Sequence, residues 1–338
     1  MRFLITRLSS LGDVIHSLPL VSALRENFPS SQIDWIVGDK GFELLKLIRE
    51  IDNIFLFDRK NLFKNIYSLW RNKYDYAIDV QGLLKSAFIS RFSLAKSVVG
   101  FKATREFADL FYDKKVFVGN LFNTKKHVVD LNLELLKAIK DFELRKVKFL
   151  IPKIQSLENS LLGSEVIKAP YVILFPSTTW ESKLWIKDYW FELTKLLSVK
   201  TQVLLCGAKS DLSYLKDLTL RLESQNVSYI NLIGKTSITN LIYLIQNSKL
   251  VVGLDSAPLH LASAIKNDFG YPDVIGIYGP TSICRNGPYN LSNNVIWNSK
   301  LDCISCRKKR CPLGHHKCMI DVLPERVYEE ACRHISSQ

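Results

Sequence analysis

Residues 2–16 read RFLITRLSSLGDVIH and set the pattern that the rest of the chain follows. An apolar run leads into a turn of small residues, and helical spacing of apolar residues comes next. This is the layout of the first strand, loop and helix of an open α/β sheet, which binds ligands at the carboxyl ends of its strands. The stretch therefore predicts an α/β fold and places Asp13 at the mouth of a binding loop.

Two roles are open to Asp13 on this stretch alone. Its position before Val14 and Ile15 suits a helix N-cap, in which the carboxylate accepts backbone N–H bonds. A carboxylate at this edge can instead take a proton from a substrate hydroxyl, provided that the helix end leaves it free. A short turn over 13–16, with the main helix starting near Ser17, would leave it free.

Length and composition bound the class of protein. With 338 residues, of which 47% are hydrophobic and 23% charged, the chain is long enough for two globular domains. The formal net charge of +13 indicates an acidic partner such as nucleic acid, anionic lipid or a phosphorylated small molecule, with ordinary surface charge as the alternative. No window is apolar enough for a spanning helix and the N-terminus does not read as a signal peptide, so we expect a cytoplasmic protein.

Strand and helix patterns alternate along the chain. Apolar runs typical of strands lie at 33–37, 54–57, 76–80, 98–101, 171–175, 203–206, 231–233, 250–254 and 274–278, and a long helix is predicted over 127–139. Such alternation predicts parallel sheets with helices on both faces. The pattern stops near 149–152, which indicates domains at 1–160 and 161–323. A terminal helix over 324–338 is a candidate to pack back onto the first domain.

Polar turns follow several of these strands. Gln81-Gly82 follows one strand, Thr178 and Lys183 follow another, and the loop at 255–260 follows a third. Small residues in that last loop let a ligand approach the backbone, and the N–H groups of the next helix suit an anion. Neither half contains the Gly-x-Gly-x-x-Gly fingerprint, which argues against a dinucleotide dehydrogenase. We expect a ligand bound between the two halves.

The segment 59–71 is basic and amphipathic, with Lys and Arg interleaved among aromatic and aliphatic residues. A surface helix with a solvated basic face explains this pattern, and so does contact with an anionic acceptor or a membrane surface. Both interpretations stay open on the sequence.

Four segments, taken together and in order, resemble the bacterial lipopolysaccharide heptosyltransferases. They are 9–16 (SSLGDVIH), 79–86 (DVQGLLKS), 178–185 (TTWESKLW) and 255–260 (DSAPLH) with 278–281 (YGPT). The first three are most similar to heptosyltransferase I. The resemblance implies the GT-B fold: two Rossmann-like α/β domains facing a central cleft, an N-terminal one for the acceptor and a C-terminal one for the nucleotide sugar. It also implies inverting transfer of heptose from ADP-heptose to Kdo-lipid A.

The resemblance further implies roles for individual residues. Asp13 matches the proposed general base, and beside Lys183, Asp255 and His260 we favour that role over the cap, although a lone histidine such as His260 is more often structural. Donor-binding positions are Thr178, Thr179, Lys183, Lys209, Thr236, Asp255, Ser256, Ala257 and His260, and acceptor-binding positions are Arg59, Lys60, Lys64 and Arg105. Lys209 and Thr236 depart from the family, which can carry an acid near the ribose and a larger apolar residue near the adenine. Cations and backbone N–H groups would stabilise the departing ADP, so no metal cofactor is required.

The cysteines need a separate explanation. There are seven, four of them between 303 and 318, which argues against a secreted disulfide framework. The four, Cys303, Cys306, Cys311 and Cys318, enclose two histidines and offer ligands for a structural zinc ion. Reduced cysteines in a basic loop are the alternative.

The sequence thus predicts a monomeric transferase, peripheral on the cytoplasmic face of the inner membrane. Its partners would be ADP-heptose, Kdo-lipid A and the anionic membrane surface, with no nucleic acid. Heptosyltransferase II, or a transferase that uses another nucleotide sugar, is the near alternative. A non-catalytic basic nucleic-acid-binding protein is the distant one, and only the net charge supports it.

Overall fold

The computed structural model describes residues 1–58, 60–102, 104–121, 124–143, 146–157, 167 and 170–336. The chain divides into two compact units, Met1–Pro152 and Lys153–Gln338. The boundary follows Pro152, where the apolar pattern of the first half ends.

The first unit is built on parallel strands that alternate with helices. Its strands are β1 (Arg2–Thr6), β2 (Gln32–Val37), β3 (Asn53–Leu56), β4 (Tyr76–Asp79), β5 (Ser97–Phe101) and β6 (Lys114–Val116). Its helices are α1 (Leu11–Ile15), α2 (Pro19–Asn27), α3 (Asp39–Leu45), α4 (Leu62–Trp70), α5 (Leu84–Phe92) and α6 (Val128–Glu134), and 3₁₀ turns cover Arg105–Phe111 and Leu135–Ala138. Within the described residues these strands form one sheet in the order β3-β2-β1-β4-β5-β6.

The second unit repeats this plan. Its strands are β7 (Tyr171–Phe175), β8 (Gln202–Leu205), β9 (Ile230–Asn231), β10 (Leu250–Leu254), β11 (Asp273–Ile277) and β12 (Val295–Ile296). Its helices are α7 (Lys187–Ser198), α8 (Leu212–Ser224), α9 (Ile238–Asn247), α10 (Ala257–Phe269), α11 (Ile283–Asn286), α12 (Lys317–Ile320) and α13 (Pro324–Ser336), and 3₁₀ turns cover Glu181–Lys183, Lys209–Asp211 and Ser292–Asn294. The described strands pair in the order β12-β11-β10-β7-β8-β9.

Both sheets reverse their strand order between two central neighbours, β1 and β4 in the first and β7 and β10 in the second. In the register of the first sheet Thr6 pairs with Asp79, the last residues of their strands. In the second sheet Phe175 pairs with Gly253. Each pair of loops therefore starts side by side, and such switch points are where open α/β sheets bind ligands.

The central strands are almost entirely apolar, because helices cover both faces of each sheet. Phe3, Leu4 and Ile5 of β1 have no solvent exposure. The terminal helix α13, which we considered for the first domain, packs within the second unit against α7 and β10. Its Val327 and Ala331 are part of that unit's core.

The predicted α/β architecture with parallel sheets is confirmed. Two edge strands, β6 and β12, were absent from the sequence prediction, and the helix expected over 127–139 is an α-helix only to Glu134. None of the helices in the described ranges is long and apolar enough to cross a membrane.

Candidate active site

The first switch point joins the loop after β1 to the loop after β4. Arg7 donates from Nη1 to the carbonyl oxygen of Val80 at 2.9 Å. The side-chain oxygen of Gln81 accepts the backbone N–H of Leu8 at 2.8 Å. These two bonds fix the position of the loop that carries Asp13.

Asp79, the last residue of β4, stabilises the loop that follows this strand. Its fully buried carboxylate accepts the N–H groups of Gln81 and Gly82 and the hydroxyls of Ser86 and Tyr112. Burial raises the pKa of Asp79, although these four donors oppose the rise. Gly82 takes a positive φ of 67°, which glycine adopts without strain. Asp79 therefore holds the turn that presents Gln81 to Leu8.

Asp13 lies in a short helix ahead of the main one, where a short turn over 13–16 was predicted, and its carboxylate is not free. Helix α1 ends at Ile15 and α2 begins at Pro19, so a short turn does precede the main helix. Ser10 is the N-cap of α1, and Asp13 reaches back to it as in a capping box. Asp13 Oδ2 accepts the backbone N–H of Ser10 at 3.0 Å and its hydroxyl at 2.8 Å. The expectations of an N-cap at Asp13 and of an unengaged carboxylate were both wrong.

An arginine completes the surroundings of Asp13. Arg7 Nη2 lies 2.8 Å from Asp13 Oδ1, and the side chains are 12% and 32% exposed, respectively. Burial alone would raise the pKa of Asp13, but the Arg7 guanidinium and the Ser10 hydrogen bonds outweigh it and hold the pKa below its ordinary value. The carboxylate is thus ionised at neutral pH and still one-third exposed, so a hydroxyl group can reach it.

The second switch point has Asp255 at its centre, directly after β10. Three side chains contact its carboxylate: Lys183 Nζ at 2.7 Å, His260 Nε2 at 3.0 Å and the Thr281 hydroxyl at 2.6 Å. Asp255 is only 5% exposed. Burial would raise its pKa, but the His260 hydrogen bond and the Lys183 charge hold the pKa well below its usual range. Asp255 is therefore a buried anion that gathers side chains from separate segments.

Backbone groups extend this cluster toward the loop after β7. The carbonyl oxygen of Asp255 accepts Lys183 Nζ at 3.3 Å and the Thr178 hydroxyl at 3.4 Å. Lys183 Nζ also lies 4.6 Å from the centre of the Trp180 ring, within the range of a cation–π contact. The structure thus brings Thr178, Lys183, Asp255 and His260 together, whereas Thr179 is exposed beside them.

The amino end of α10 adjoins Asp255. Ser256 is its N-cap and Ala257 its first residue, so their N–H groups belong to the first turn of a 13-residue helix. The hydroxyl oxygen of Ser256 is buried and has no hydrogen-bond partner among the described residues. Helix N-termini attract anions through unpaired N–H groups and the helix dipole. A lysine next to such an end is suited to a phosphate group.

The predicted nucleotide positions lie on neighbouring loops of the same sheet. Lys209 is exposed in the 3₁₀ turn after β8, and Thr236 follows β9. The two loops are joined by a backbone bond from Gly234 to Gly207 at 2.8 Å. Lys209 and Thr236 thus lie at the carboxyl ends of the strands of the second sheet, as Lys183 does. No hydrogen bond joins either of them to Lys183 among the described residues.

The predicted acceptor residues flank the first switch point on both sides. Lys60 is exposed after β3 and Lys64 is exposed on α4, whereas Arg105 opens the 3₁₀ turn after β5. Arg59 lies outside the described residues.

Sequence reasoning gave no role to Arg7, Thr281 or Asp211. Arg7 lies within residues 2–16 and Thr281 within residues 278–281, so both belong to segments that were singled out from the sequence. Asp211 accepts the hydroxyl of Ser177 and so ties the loop after β8 to the loop after β7. The strand order decides the partners of Thr281 and Asp211, and the local turn decides that of Arg7.

The cysteine segment is the predicted site of a structural zinc ion. Cys303 Sγ lies 4.0 Å from His315 Nε2. Burial raises the pKa of Cys318 to about 11, and the nearby thiols of Cys306, Cys311 and Cys303 add to the rise. Within the described ranges, no three His, Cys, Asp or Glu side chains are arranged to hold a metal ion. Zinc binding at Cys303, Cys306, Cys311 and Cys318 stays a prediction.

Two doubly wound α/β units, each with a parallel six-stranded sheet in the described residues, have the GT-B fold. The solved structure of the ADP-heptose lipopolysaccharide heptosyltransferase II of E. coli matches this fold with a TM-score of 0.78 and 23% identity, covering 99% of this chain and 98% of that one.

Comparison with known sequences identifies the protein family. The family described as Glycosyltransferase family 9 (heptosyltransferase) matches residues 62–317. Lipooligosaccharide heptosyltransferase 2 of Campylobacter jejuni is 28% identical, over 95% of each chain. Lipopolysaccharide heptosyltransferase 1 of Pseudomonas aeruginosa is also 28% identical, over 92% of this chain and 87% of that protein. The chain belongs to glycosyltransferase family 9, the heptosyltransferases, and is an enzyme of that class.

Proposed function

We propose that this enzyme transfers heptose from ADP-heptose to Kdo-lipid A in lipopolysaccharide core synthesis, with inversion at the anomeric carbon. One observation carries the proposal: Lys183 and Asp255 are paired at the amino end of α10, where a diphosphate can bind. The named lipopolysaccharide heptosyltransferases among its relatives support the substrate class.

Asp13 acts as the general base in this proposal. Its ionised and partly exposed carboxylate takes the proton of the acceptor hydroxyl as that oxygen attacks the anomeric carbon. The bond to the ADP oxygen breaks on the opposite face of the sugar. Arg7 and Ser10 keep the carboxylate in one orientation throughout.

Lys183 stabilises the charge that develops on the leaving diphosphate, together with the N–H groups of Ser256 and Ala257. Asp255 holds Lys183 and His260 in place but is too buried to take a proton from a substrate. Since cations and backbone donors supply the electrostatic stabilisation, transfer needs no divalent metal and should be unaffected by a chelator.

Heptosyltransferase II is the second candidate, and the relative from Campylobacter jejuni with that name favours it. We place either activity in a monomer at the cytoplasmic face of the inner membrane, where the acceptor is held. The net charge of +13 suits an acceptor that carries phosphates and carboxylates.

An acceptor panel tests the proposal. The purified enzyme, ADP-heptose and either Kdo-lipid A or heptosyl-Kdo-lipid A are combined, and ADP release and the mass of the product are measured. Transfer to Kdo-lipid A alone is the expected result. Transfer only to the heptosylated acceptor would establish heptosyltransferase II, and no transfer to either would reject both assignments.

A further inference from the structure

Helix α4 exposes aromatic side chains on one face. Phe63, Tyr67 and Trp70 are 86%, 58% and 44% exposed. Their spacing of four and then three residues puts them on one side of the helix. Ile66 and Leu69 of the same helix are buried in the first unit. The helix therefore has more apolar residues than the core of its own unit covers.

The exposed side continues onto the end of α5. Trp70 donates from Nε1 to the carbonyl oxygen of Phe92 at 2.6 Å, and the rings of Tyr67 and Trp70 are 5.9 Å apart. Phe92 and the nearby Leu94 are themselves 40% and 63% exposed. We call this set, Phe63, Tyr67, Trp70, Phe92 and Leu94, the aromatic face.

Positive charge accompanies the aromatic face along the chain. Residues 59–74 contain five Lys or Arg residues and no Asp or Glu. Of these, Lys60, Lys64, Arg71 and Lys73 are described, and the Arg71 guanidinium lies 5.8 Å from the Tyr67 ring centre. Tryptophan and tyrosine favour the headgroup level of a bilayer, and lysine and arginine are attracted to anionic lipids. Exposed rings with cations on the same segment thus match the chemistry of an anionic lipid surface.

We propose that the aromatic face docks the enzyme on an anionic bilayer, with its rings at the headgroup level and the cations against lipid phosphates. The proposal rests on the proposed function, because an acceptor anchored through lipid A must be met at a membrane. It assigns docking to the aromatic face, which is formed by α4 and the end of α5 and lies next to the loop that carries Lys60.

Vesicle binding tests the aromatic face directly. The double variant Phe63→Gln/Tyr67→Gln removes two rings and keeps good helix formers at exposed positions. Its matched control is Val199→Gln/Leu220→Gln, which changes residues of the second unit that are 86% and 52% exposed. Binding to phosphatidylglycerol–phosphatidylethanolamine vesicles is measured by co-sedimentation, with phosphatidylcholine vesicles for comparison, and circular dichroism confirms that both variants are folded.

The double variant should bind anionic vesicles roughly tenfold more weakly than the wild type, because binding scales with the apolar area that enters the interface. The control should bind like the wild type, and phosphatidylcholine should bind every form weakly. Unchanged binding of the double variant would overturn the proposal. A wild-type dimer that the double variant loses, without any vesicle binding, would also overturn it and assign the face to a second copy of the chain.

Two acceptors separate this proposal from the proposed function. With a de-acylated, water-soluble Kdo-lipid A, the double variant should turn over like the wild type, whereas with vesicle-embedded Kdo-lipid A it should be slower. An equal loss with both acceptors would contradict docking and indicate damage to the active site. Ring-dependent vesicle binding in an enzyme that transfers heptose to no acceptor would reject the proposed function and leave the docking surface intact.

Discussion

Asp13 and Asp255 lie at the switch points of the two halves of the molecule, Asp13 after the first strand of its unit and Asp255 after the fourth strand of its own, and they differ in their surroundings. Each follows a central parallel strand at a switch point, and each pairs with one cation, at 2.8 Å for Arg7 and 2.7 Å for Lys183. Asp13 is 32% exposed, whereas Asp255 is 5% exposed. The same strand order thus presents one carboxylate to solvent and buries the other.

The hydrogen-bond partners of the two carboxylates explain what each can do. Apart from Arg7, Asp13 is bound by Ser10 within its own short turn. Asp255 is bound by side chains from three places in the second unit: Lys183, His260 and Thr281. A locally held, exposed carboxylate can exchange a proton with a substrate. A carboxylate bonded to three separate segments organises the site instead, and its loss should affect folding as much as activity.

Replacing the exposed carboxylate should have the largest effect on catalysis. Asp13→Asn keeps the shape and an oxygen that can accept the Ser10 N–H, but it cannot take a proton at neutral pH. Loss of a general base lowers turnover by roughly 10²–10⁴-fold. Steady-state release of ADP measures turnover, and calorimetry should show ADP binding close to that of the wild type. A rate within tenfold of wild type would assign the proton transfer to another group.

The alternation of strands and helices could be predicted from the sequence, because buried parallel strands are nearly continuous apolar runs. The runs at 171–175 and 250–254 coincide with β7 and β10. Strand β6 could not be found in this way. Its sequence is Lys-Lys-Val, and it is a strand only because β5 offers an edge to pair with.

The loops of the candidate site were predictable for the same reason, since each follows an apolar run. Their side-chain partners were not, because the strand order decides which loops meet. Thr281 lies 26 residues from Asp255 and reaches it because β10 and β11 are neighbours. The state of Asp13 was misjudged because no periodicity reveals that Ser10 and Arg7 both turn toward it.

Replacing the buried carboxylate should reduce stability as well as activity. Asp255→Asn leaves Lys183 without its carboxylate partner in a site where that lysine is only 15% exposed. Breaking such a pair costs about 3 kcal/mol in the free energy of unfolding, measured by urea titration. Thr281→Val is the matched control: it removes one hydrogen bond to Asp255 but no charge, and should cost about 1.5 kcal/mol. If the Asp255→Asn variant were as stable as the wild type, Asp255 would not be the residue that organises the site.

Acidification gives a second measure of what the Asp255–Lys183 ion pair contributes to stability. The pKa of Asp255 is lowered in the folded protein, so its contribution to stability is fully present above the unfolded value of about 3.9. The contribution is lost as the pH falls through the folded value. The difference in unfolding free energy between wild type and Asp255→Asn should therefore shrink below pH ~4. A difference that stays constant on acidification would show that the lost stability is not electrostatic.

The smallest effect is expected from removing the arginine beside Asp13, and its signature is a shift in pH rather than a loss of activity. Arg7→Gln deletes the charge that lowers the pKa of Asp13, whereas the burial that raises this pKa remains, so the pKa must rise. If Asp13 is the base, the acidic limb of the kcat/KM profile follows its pKa in the free enzyme and moves to higher pH by the same amount. Turnover on the alkaline plateau should fall far less than in Asp13→Asn, since the carboxylate is still present.

Lys183→Gln, at the other switch point, should lower the plateau without moving the acidic limb, because Lys183 pairs with Asp255 and not with Asp13. An acidic limb that stays in place in Arg7→Gln would separate the titrating base from Asp13 and remove the functional distinction between the two carboxylates.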